Sequence, residues 1–255
     1  MAIGPLLGYA EGMTQPTAPL QPGTLYLVAT PIGNLEDITL RAVRTLRDCD
    51  VVAAEDTRHS GQLLRHLGIQ KPMISYFRFN EAKRSEEIIE RLKGGQKVAL
   101  ITDAGSPGIS DPGERVVRAA IESGLKVESV PGACALVAGL TASGLPAGGF
   151  YFAGFLPSKS GQRMKRLGVL LQLQETVILY ESPYRVEKLL GEMRQLAPLR
   201  KLVLARELTK KFEEYLRGTA GELEAQLLKR SIKGEFVVMI HGADDEPEVH
   251  YGEPE

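Results

Sequence analysis

The feature that most constrains this chain is a series of short β-branched or aliphatic segments separated by amphipathic stretches. Most of these segments end in a loop carrying glycine, proline or a carboxylate. From Thr24 the order is LYLVAT, ITLRAVRTLRD, VVAAED, a polar helix from about His59 to His66, MISYF and a charged helix from Glu81 to Lys93. It continues with VALITD, a helix from Asp111 to Ser123, KVESVPG and an apolar helix from Ala133 to about Ser143. This is a βαβ rhythm. A segment such as Val98–Ile101 has no polar face, so helices must cover both sides of its sheet, and a sheet covered in that way is largely parallel. Loops leaving the C-terminal ends of parallel strands gather along one edge, where ligands bind.

The stretch GLPAGGF, from Gly144 to Phe150, concentrates glycine and proline and interrupts the rhythm. A second α/β series follows: YFAGF, a basic amphipathic helix from about Gly161 to Leu173, TVILYE, a helix from about Tyr184 to Leu196 and LVLARE. It ends with the possible strand FEEYLRG, a helix from Ala220 to Leu228 and EFVVMIHG. The expected organisation is therefore an N-terminal α/β lobe over residues 23–145, a linker over 146–150 and a C-terminal α/β lobe over 151–242, each a mostly parallel or mixed sheet flanked by helices. The tail at 1–22 mixes Gly, Pro, Thr and Gln without the charge pattern of a secretory signal, and the tail at 243–255 is acidic; both are expected to be disordered.

Composition narrows the function classes. An apolar fraction of 43% and a charged fraction of 25% are those of a soluble globular protein, and two cysteines far apart in sequence suit the reducing cytoplasm. No apolar run approaches the roughly 20 residues of a membrane span. The two cysteines, Cys49 and Cys134, lack C-x-x-C spacing and the four histidines form no H-x-x-x-H pair, so no metal site is expected. A net charge of −1 means that any contact with nucleic acid must come from a local patch. Candidate patches are Arg41, Arg44 and Arg47; Arg78, Lys83 and Arg84; and Lys159, Arg163, Lys165 and Arg166, with ordinary solvated helix faces as the competing reading.

Three strand-end loops carry the chemistry. Thr30-Pro31-Ile32-Gly33-Asn34 is neither the G-x-G-x-x-G of dinucleotide folds nor a P-loop, which disfavours NAD and nucleoside triphosphates. Thr102 to Gly113, TDAGSPGISDPG, is rigid and poor in side chains, so its backbone can approach a ligand closely; Asp111-Pro112 also reads as a helix N-cap followed by proline at the first helical position. Val130-Pro131-Gly132-Ala133 precedes a helix with Ala135, Leu136, Ala138 and Gly139, small enough either to admit a flat ligand or to pack closely on a sheet. Charged residues bunch at the remaining strand ends: Glu55, Asp56 and Arg58; Asn80 and Glu81; Glu181 and Arg185; Arg206, Glu207 and Lys210. They suit either catalysis or a salt-bridge network joining the lobes.

Taken together, TPIGNLEDIT, AAEDTRHSGQLL, DAGSPGISDPG, VPGACA, GLP, FAGFLP, YESPYR, LARELTK and KGEFV resemble the tetrapyrrole-methylase superfamily. Within it they resemble the ribosomal RNA small-subunit methyltransferase I family, the cytidine 2'-O-methyltransferases. The resemblance runs from about Gly23 to Gly242. It implies a two-lobed tetrapyrrole-methylase-like fold with S-adenosylmethionine (AdoMet) in the cleft between lobes, and a homodimer. It also implies methylation of a cytidine ribose near the decoding centre of 16S rRNA, presented as RNA or as the 30S subunit. Relatives that methylate porphyrinoids carry G-x-G-P-G-D and G-D-P loops where this chain has Pro31-Ile32-Gly33-Asn34 and Gly105-Ser106-Pro107, which favours the RNA branch.

Carried over by position, the superfamily's AdoMet contacts fall on Ile32, Gly105, Ser106, Pro107, Ser110, Ala135 and Leu136, and on Glu181, Arg206, Glu207, Gly234, Glu235 and Phe236. Histidines common in the family are replaced here by Phe77-Arg78-Phe79, so a histidine base is excluded at that place. A ribose hydroxyl is a weak nucleophile and gains from a base. Glu55, Asp56, Asp103, Glu207 and, as first choice, Glu81 beside Asn80 are the candidates. Arg58, Arg78, Lys159, Arg163, Lys165, Arg166, Arg185 and Lys210 are assigned to RNA, with Arg206 also available to phosphates or the developing alkoxide. Phe77 and Phe79 either stack on a base or pack between lobes. The competing functions are a tetrapyrrole-type small-molecule methyltransferase and a non-enzymatic RNA-binding module.

Overall fold

The computed structural model describes residues 18–228 and 233–243. Five strands, β1 (Thr24–Val28), β2 (Val51–Ala54), β3 (Met73–Ser75), β4 (Val98–Ile101) and β5 (Lys126–Val130), form a sheet in the order β3-β2-β4-β1-β5, with every pairing parallel. All residues of β2 and β4 are buried, as their unbroken apolar sequences require. Side chains alternate between two cores. Leu25, Val51 and Leu100 meet Ile88, Leu92 and Val116 of α3 (Glu81–Lys93) and α4 (Glu114–Glu122) on one face. On the other, Tyr26, Val52 and Ile101 meet Ala42, Leu46 and Leu64 of α1 (Leu40–Asp48) and α2 (Thr57–His66). Each large side chain so buried contributes about 1.5–3 kcal/mol.

A second five-stranded sheet has the order β6-β7-β10-β8-β9, built from β6 (Phe150–Phe155), β7 (Thr176–Glu181), β8 (Leu202–Arg206), β9 (Glu214–Gly218) and β10 (Phe236–Ile240). Only β6 and β7 run parallel. The helices α6 (Ser160–Leu170), α7 (Val186–Leu196) and α8 (Ala220–Leu227) cover one face through Leu167, Leu189, Met193 and Leu223. The other face is covered by α5 (Ala135–Thr141), whose Leu136 and Leu140 pack on Ile178, Val203, Val237 and Met239. A Cβ on Gly139 would lie 3.1 Å from Val237 Cγ1, so the small residues of α5 serve at this point to bring helix and sheet together.

Two local expectations are corrected. Helix α4 starts at Glu114, not Asp111, and its N-cap is Gly113 at φ 152°, a conformation suited to glycine. Asp111 and Pro112 therefore stay in the loop. Residues 18–22 pack onto the first lobe instead of trailing from it: Leu20 joins the apolar core, Arg44 Nη1 donates to Ala18 O at 2.8 Å, and Gln21 N donates to Tyr26 Oη at 2.7 Å. The expectations for residues 1–17 and 244–255 lie outside the described residues. Among the described residues no helix is long and apolar enough to cross a membrane.

Candidate active site between the two sheets

Because β1 lies beside β4, the loops that follow these strands meet at the C-terminal edge of the first sheet. They are stitched by a reciprocal pair of backbone bonds, Thr30 N to Gly105 O at 2.9 Å and Gly105 N to Thr30 O at 3.0 Å. The first loop then reaches the second lobe. A Cβ on Gly33 would fall 2.5 Å from Lys210 Cγ and 2.9 Å from Leu208 O, so only glycine permits this approach.

On the opposing side the chain after β8 is held in an uncommon conformation. Glu207 and Thr209 have φ of 51° and 66°, each costing on the order of 1–3 kcal/mol outside glycine. Local bonds hold them: Lys210 Nζ donates to Glu207 Oε1 at 2.9 Å, Lys210 N to Glu207 O at 3.0 Å, and Thr209 N to the Glu213 carboxylate. Glu235 N also donates to Glu207 Oε1 at 3.3 Å, and a Cβ on Gly234 would occupy the place of that carboxylate, 2.1 Å from the same oxygen.

Between these loops lies a cavity of about 350 Å³. One wall is backbone-rich, running from Asp103 through Ser106 and on to Ile109–Asp111; the other is formed by Glu207, Leu208, Lys210 and Glu235–Val237. Ile32, Ala135, Phe155 and Tyr180 supply apolar surface. Tyr180 stacks edge-on with Phe152 and Phe155, with ring centroids 4.9 and 5.8 Å apart, and its Oη accepts from Leu136 N at 3.1 Å, satisfying the first turn of α5. Burial pushes the Tyr180 phenol above its ordinary range.

Three carboxylates, Glu55 from the loop after β2 and Asp103 and Asp111 from the loop after β4, face this space. Burial, and then the charges of Glu55 and Asp103, push the Asp111 carboxyl up to about 7. Burial followed by the Asp103 charge also raises Glu55. Glu181 is raised chiefly by burial, although Ser182 N donates to it at 2.8 Å and Arg185 Nε lies 3.2 Å away. Among the described residues no group of His, Cys, Asp and Glu is arranged to hold a metal ion.

Residues 24–224 match the model of the tetrapyrrole (corrin/porphyrin) methylases. Ribosomal RNA small subunit methyltransferase I of Synechocystis sp. is 47% identical over 232 residues, covering 91% of this chain and 83% of that protein. The protein of the same name from Mesorhizobium japonicum is 49% identical over 242 residues, covering 92% and 82%. This chain belongs to the ribosomal RNA small subunit methyltransferase I family. The fold is also that of diphthine synthase, at TM-score 0.65 and 18% identity over 86% of this chain and 90% of that one. It is shared too with the uroporphyrin-III C-methyltransferase of Thermus thermophilus solved with S-adenosyl homocysteine, at TM-score 0.60 and 20% identity over 86% and 97%.

In this methyltransferase the cavity gathers Ile32, Gly105, Ser106, Ser110, Ala135, Glu181, Glu207, Glu235 and Phe236 of the residues expected around the cofactor, and Glu55, Asp103 and Glu207 of the expected catalytic carboxylates. Four expected contacts do not line it. Pro107 is absent from the lining, and Leu136 buries its side chain in the second sheet's core. Arg206 is bound to Glu214 at 2.7 Å and to Lys233 O, and Gly234 only makes room for Glu207.

The first-choice base, Glu81, is not at the cavity. Its Oε1 accepts from Gly113 N at 3.2 Å and Tyr76 Oη at 3.3 Å, a clasp between α3 and the loop before α4. Asn80 pins its own turn through Phe77 N and Ser75 O. Asp56 caps α2 by accepting from Arg58 N at 2.8 Å, and the Arg58 guanidinium holds its carboxyl well below the usual range.

The basic residues divide. Arg163 is buried against Glu192 and cannot reach phosphate, and Arg185 is committed to Glu181 and to Leu156 O at 2.7 Å. Lys159, Lys165, Arg78 and Arg58 are exposed. Arg166 donates to Tyr151 Oη at 2.9 Å, and Lys210 pairs with Glu207 inside the cavity. The rim pairs Asp56–Arg58, Glu181–Arg185, Arg206–Glu214 and Glu207–Lys210 each stay within one lobe, so apolar and backbone contacts, not ion pairs, join the lobes at these positions. Phe79 is 89% exposed and touches Phe77 edge-on at 6.3 Å, which removes packing between lobes as its role.

Asp111, Tyr180, Phe155 and Cys134 line the cavity without having been singled out as site residues. For Asp111 a signal existed in the sequence: it shares the glycine- and proline-rich string TDAGSPGISDPG with Asp103 and with the expected cofactor contacts Gly105, Ser106 and Ser110.

Proposed function

We propose that this methyltransferase transfers the methyl group of AdoMet to the ribose 2'-hydroxyl of a cytidine in 16S rRNA, near the ribosomal decoding centre. The observation that carries this reading is the 47–49% identity to proteins named ribosomal RNA small subunit methyltransferase I over nine-tenths of the chain. The cavity fits the donor. It falls within the 300–1,000 Å³ of small-molecule sites, it presents backbone at Gly105 and Ser106, and it sets carboxylates toward a ligand that carries positive charge.

Gly105, Ser106, Ile32, Ala135, Leu208 and Val237 would hold the cofactor, which supplies an electrophilic methyl group on a sulfonium. Transfer then depends on holding the acceptor oxygen in line at near-attack distance. Glu55, Asp103 and Glu207 remain as cavity carboxylates able to act on the hydroxyl. Lys159 just before α6 and Lys165 on it, with Arg58 and Arg78 on the first lobe, form the basic rim for phosphates, and Phe79 offers an exposed ring to an unstacked base. We further propose a cytoplasmic homodimer acting on rRNA or the 30S subunit; family resemblance supports this.

The test is incubation of the protein with methyl-labelled AdoMet and, separately, unmethylated 30S subunits, 16S rRNA or a porphyrinoid, followed by mapping of the product. Label on one cytidine ribose is the expected result. Label on the porphyrinoid alone would refute the proposal, and RNA binding without label would leave a binding module.

A further inference from the structure

Glu55, Asp103 and Asp111, three of the carboxylates that line the cavity, are not equivalent. Glu55 follows β2, Asp103 follows β4, and Asp111 lies further along the same loop as Asp103, so three negative charges are brought to one wall by the order of the parallel sheet. Among the described residues none of the three is ion-paired to lysine or arginine; the cations lining or edging the cavity, Lys210 and Arg185, are held by Glu207 and Glu181. Asp103 Oδ1 accepts from Asp56 N at 3.2 Å, which ties this carboxylate to the loop after β2. Asp111 sits between Ser110 at φ 64° and the Gly113 turn, so its backbone is fixed and its carboxyl is presented to the cavity.

Like charges at one wall cannot all be ionised without cost, and one group holds a proton in competition with the others. We propose that Asp111 takes the proton from the acceptor hydroxyl, and that Glu55 and Asp103, on the same wall, act as positioning residues for it. This rests on the function proposed above. As the ribose oxygen forms its bond to the methyl carbon, the carbon–sulfur bond breaks and its electron pair leaves on sulfur. The hydroxyl proton passes to the Asp111 carboxylate and from there to water. The proton affinity of Asp111, near neutrality, is matched to this task, because a base works best when it is both largely free and strong at the operating pH. The charged groups that act on it from the surrounding elements are Glu55, Asp103 and Glu235, and Tyr180 of β7 feels its charge in turn.

The experiment uses the full chain with 30S subunits and AdoMet, measuring single-turnover transfer from pH 5.5 to 9 for the wild type and for Asp111→Asn, Glu55→Gln and Asp103→Asn. AdoMet affinity is measured by calorimetry alongside. The wild-type rate is expected to rise through a midpoint near 7, and Asp111→Asn to fall about 100-fold or more with AdoMet affinity within about threefold. Glu55→Gln and Asp103→Asn are expected to move the midpoint to lower pH, since each removes a neighbouring negative charge. Asp111→Glu, which keeps a carboxylate, is expected to recover part of the lost rate and guards against misfolding of the asparagine variant. Asp111→Asn retaining the wild-type rate and midpoint would overturn the assignment. So would a loss of rate matched by an equal loss of AdoMet affinity, or no movement of the midpoint in the two neighbouring variants. If the wild type transfers no methyl to RNA, the function proposed above fails and the assignment falls with it.

Discussion

Replacing Arg163 by alanine strips three short bonds from a site closed to solvent. Its Nε and Nη2 donate to the two Glu192 carboxylate oxygens at 2.7 Å each, and Nη1 donates to Ser158 O at 2.9 Å. The two side chains are 4% and 9% exposed. After the substitution the Glu192 carboxylate keeps only the Ser160 hydroxyl, at 2.8 Å. An abandoned buried charge of this kind costs about 3–5 kcal/mol, against about 0–1 for an exposed pair. With total stabilities of about 5–15 kcal/mol, that is a large share. Because the same guanidinium holds the loop between β6 and α6, unfolding of the second lobe should lead. Urea denaturation followed by circular dichroism measures the loss. The double substitution Arg163→Met, Glu192→Leu should recover most of it, because the two charges are then no longer taken out of water. A loss below about 1 kcal/mol in Arg163→Ala, together with weaker rRNA binding and a shallower salt dependence, would show that Arg163 faces phosphate and would refute the argument.

Other consequences follow from single contacts. The folded Asp111 carboxyl titrates at about 7, above its ordinary value of about 3.9, so the folded chain binds the proton more tightly than the unfolded one. Stability is therefore highest with the proton held and declines as pH rises from about 4 to 7. Asp111→Asn should melt higher at pH 8, by about 1–2 kcal/mol once the screening of a partly exposed group is allowed for, and equally at pH 4; a lower melting point at pH 8 would contradict this. Tyr180→Phe leaves Leu136 N without its acceptor, at a cost of about 1 kcal/mol, and the loosened α5 should weaken AdoMet binding several-fold by calorimetry. Gly33→Ala forces the first loop off Leu208 and Lys210; the expected outcome is a larger loss of AdoMet affinity than of thermal stability, measured on the same preparation.

The sequence by itself determined the elements and their class. Unbroken apolar runs such as Val98–Ile101 can only be central strands, and the helical spacing between them fixed where α3 begins and ends. The glycine-rich strings also made the family legible, and with it the loops that border the cavity. What the tertiary structure decided is which charges share a space. Glu81, at the start of α3, and Asp111, in the loop before α4, are both carboxylates that follow a strand, yet one is spent on Gly113 N and Tyr76 and the other faces the cavity, because strand order, not spacing in the chain, sets which segments are neighbours. Arg163 and Lys165 lie two residues apart on one basic helix, but 3.6 residues per turn sends the first into the core and the second to water. A run of like residues carries no record of that rotation until the helix is docked on its sheet.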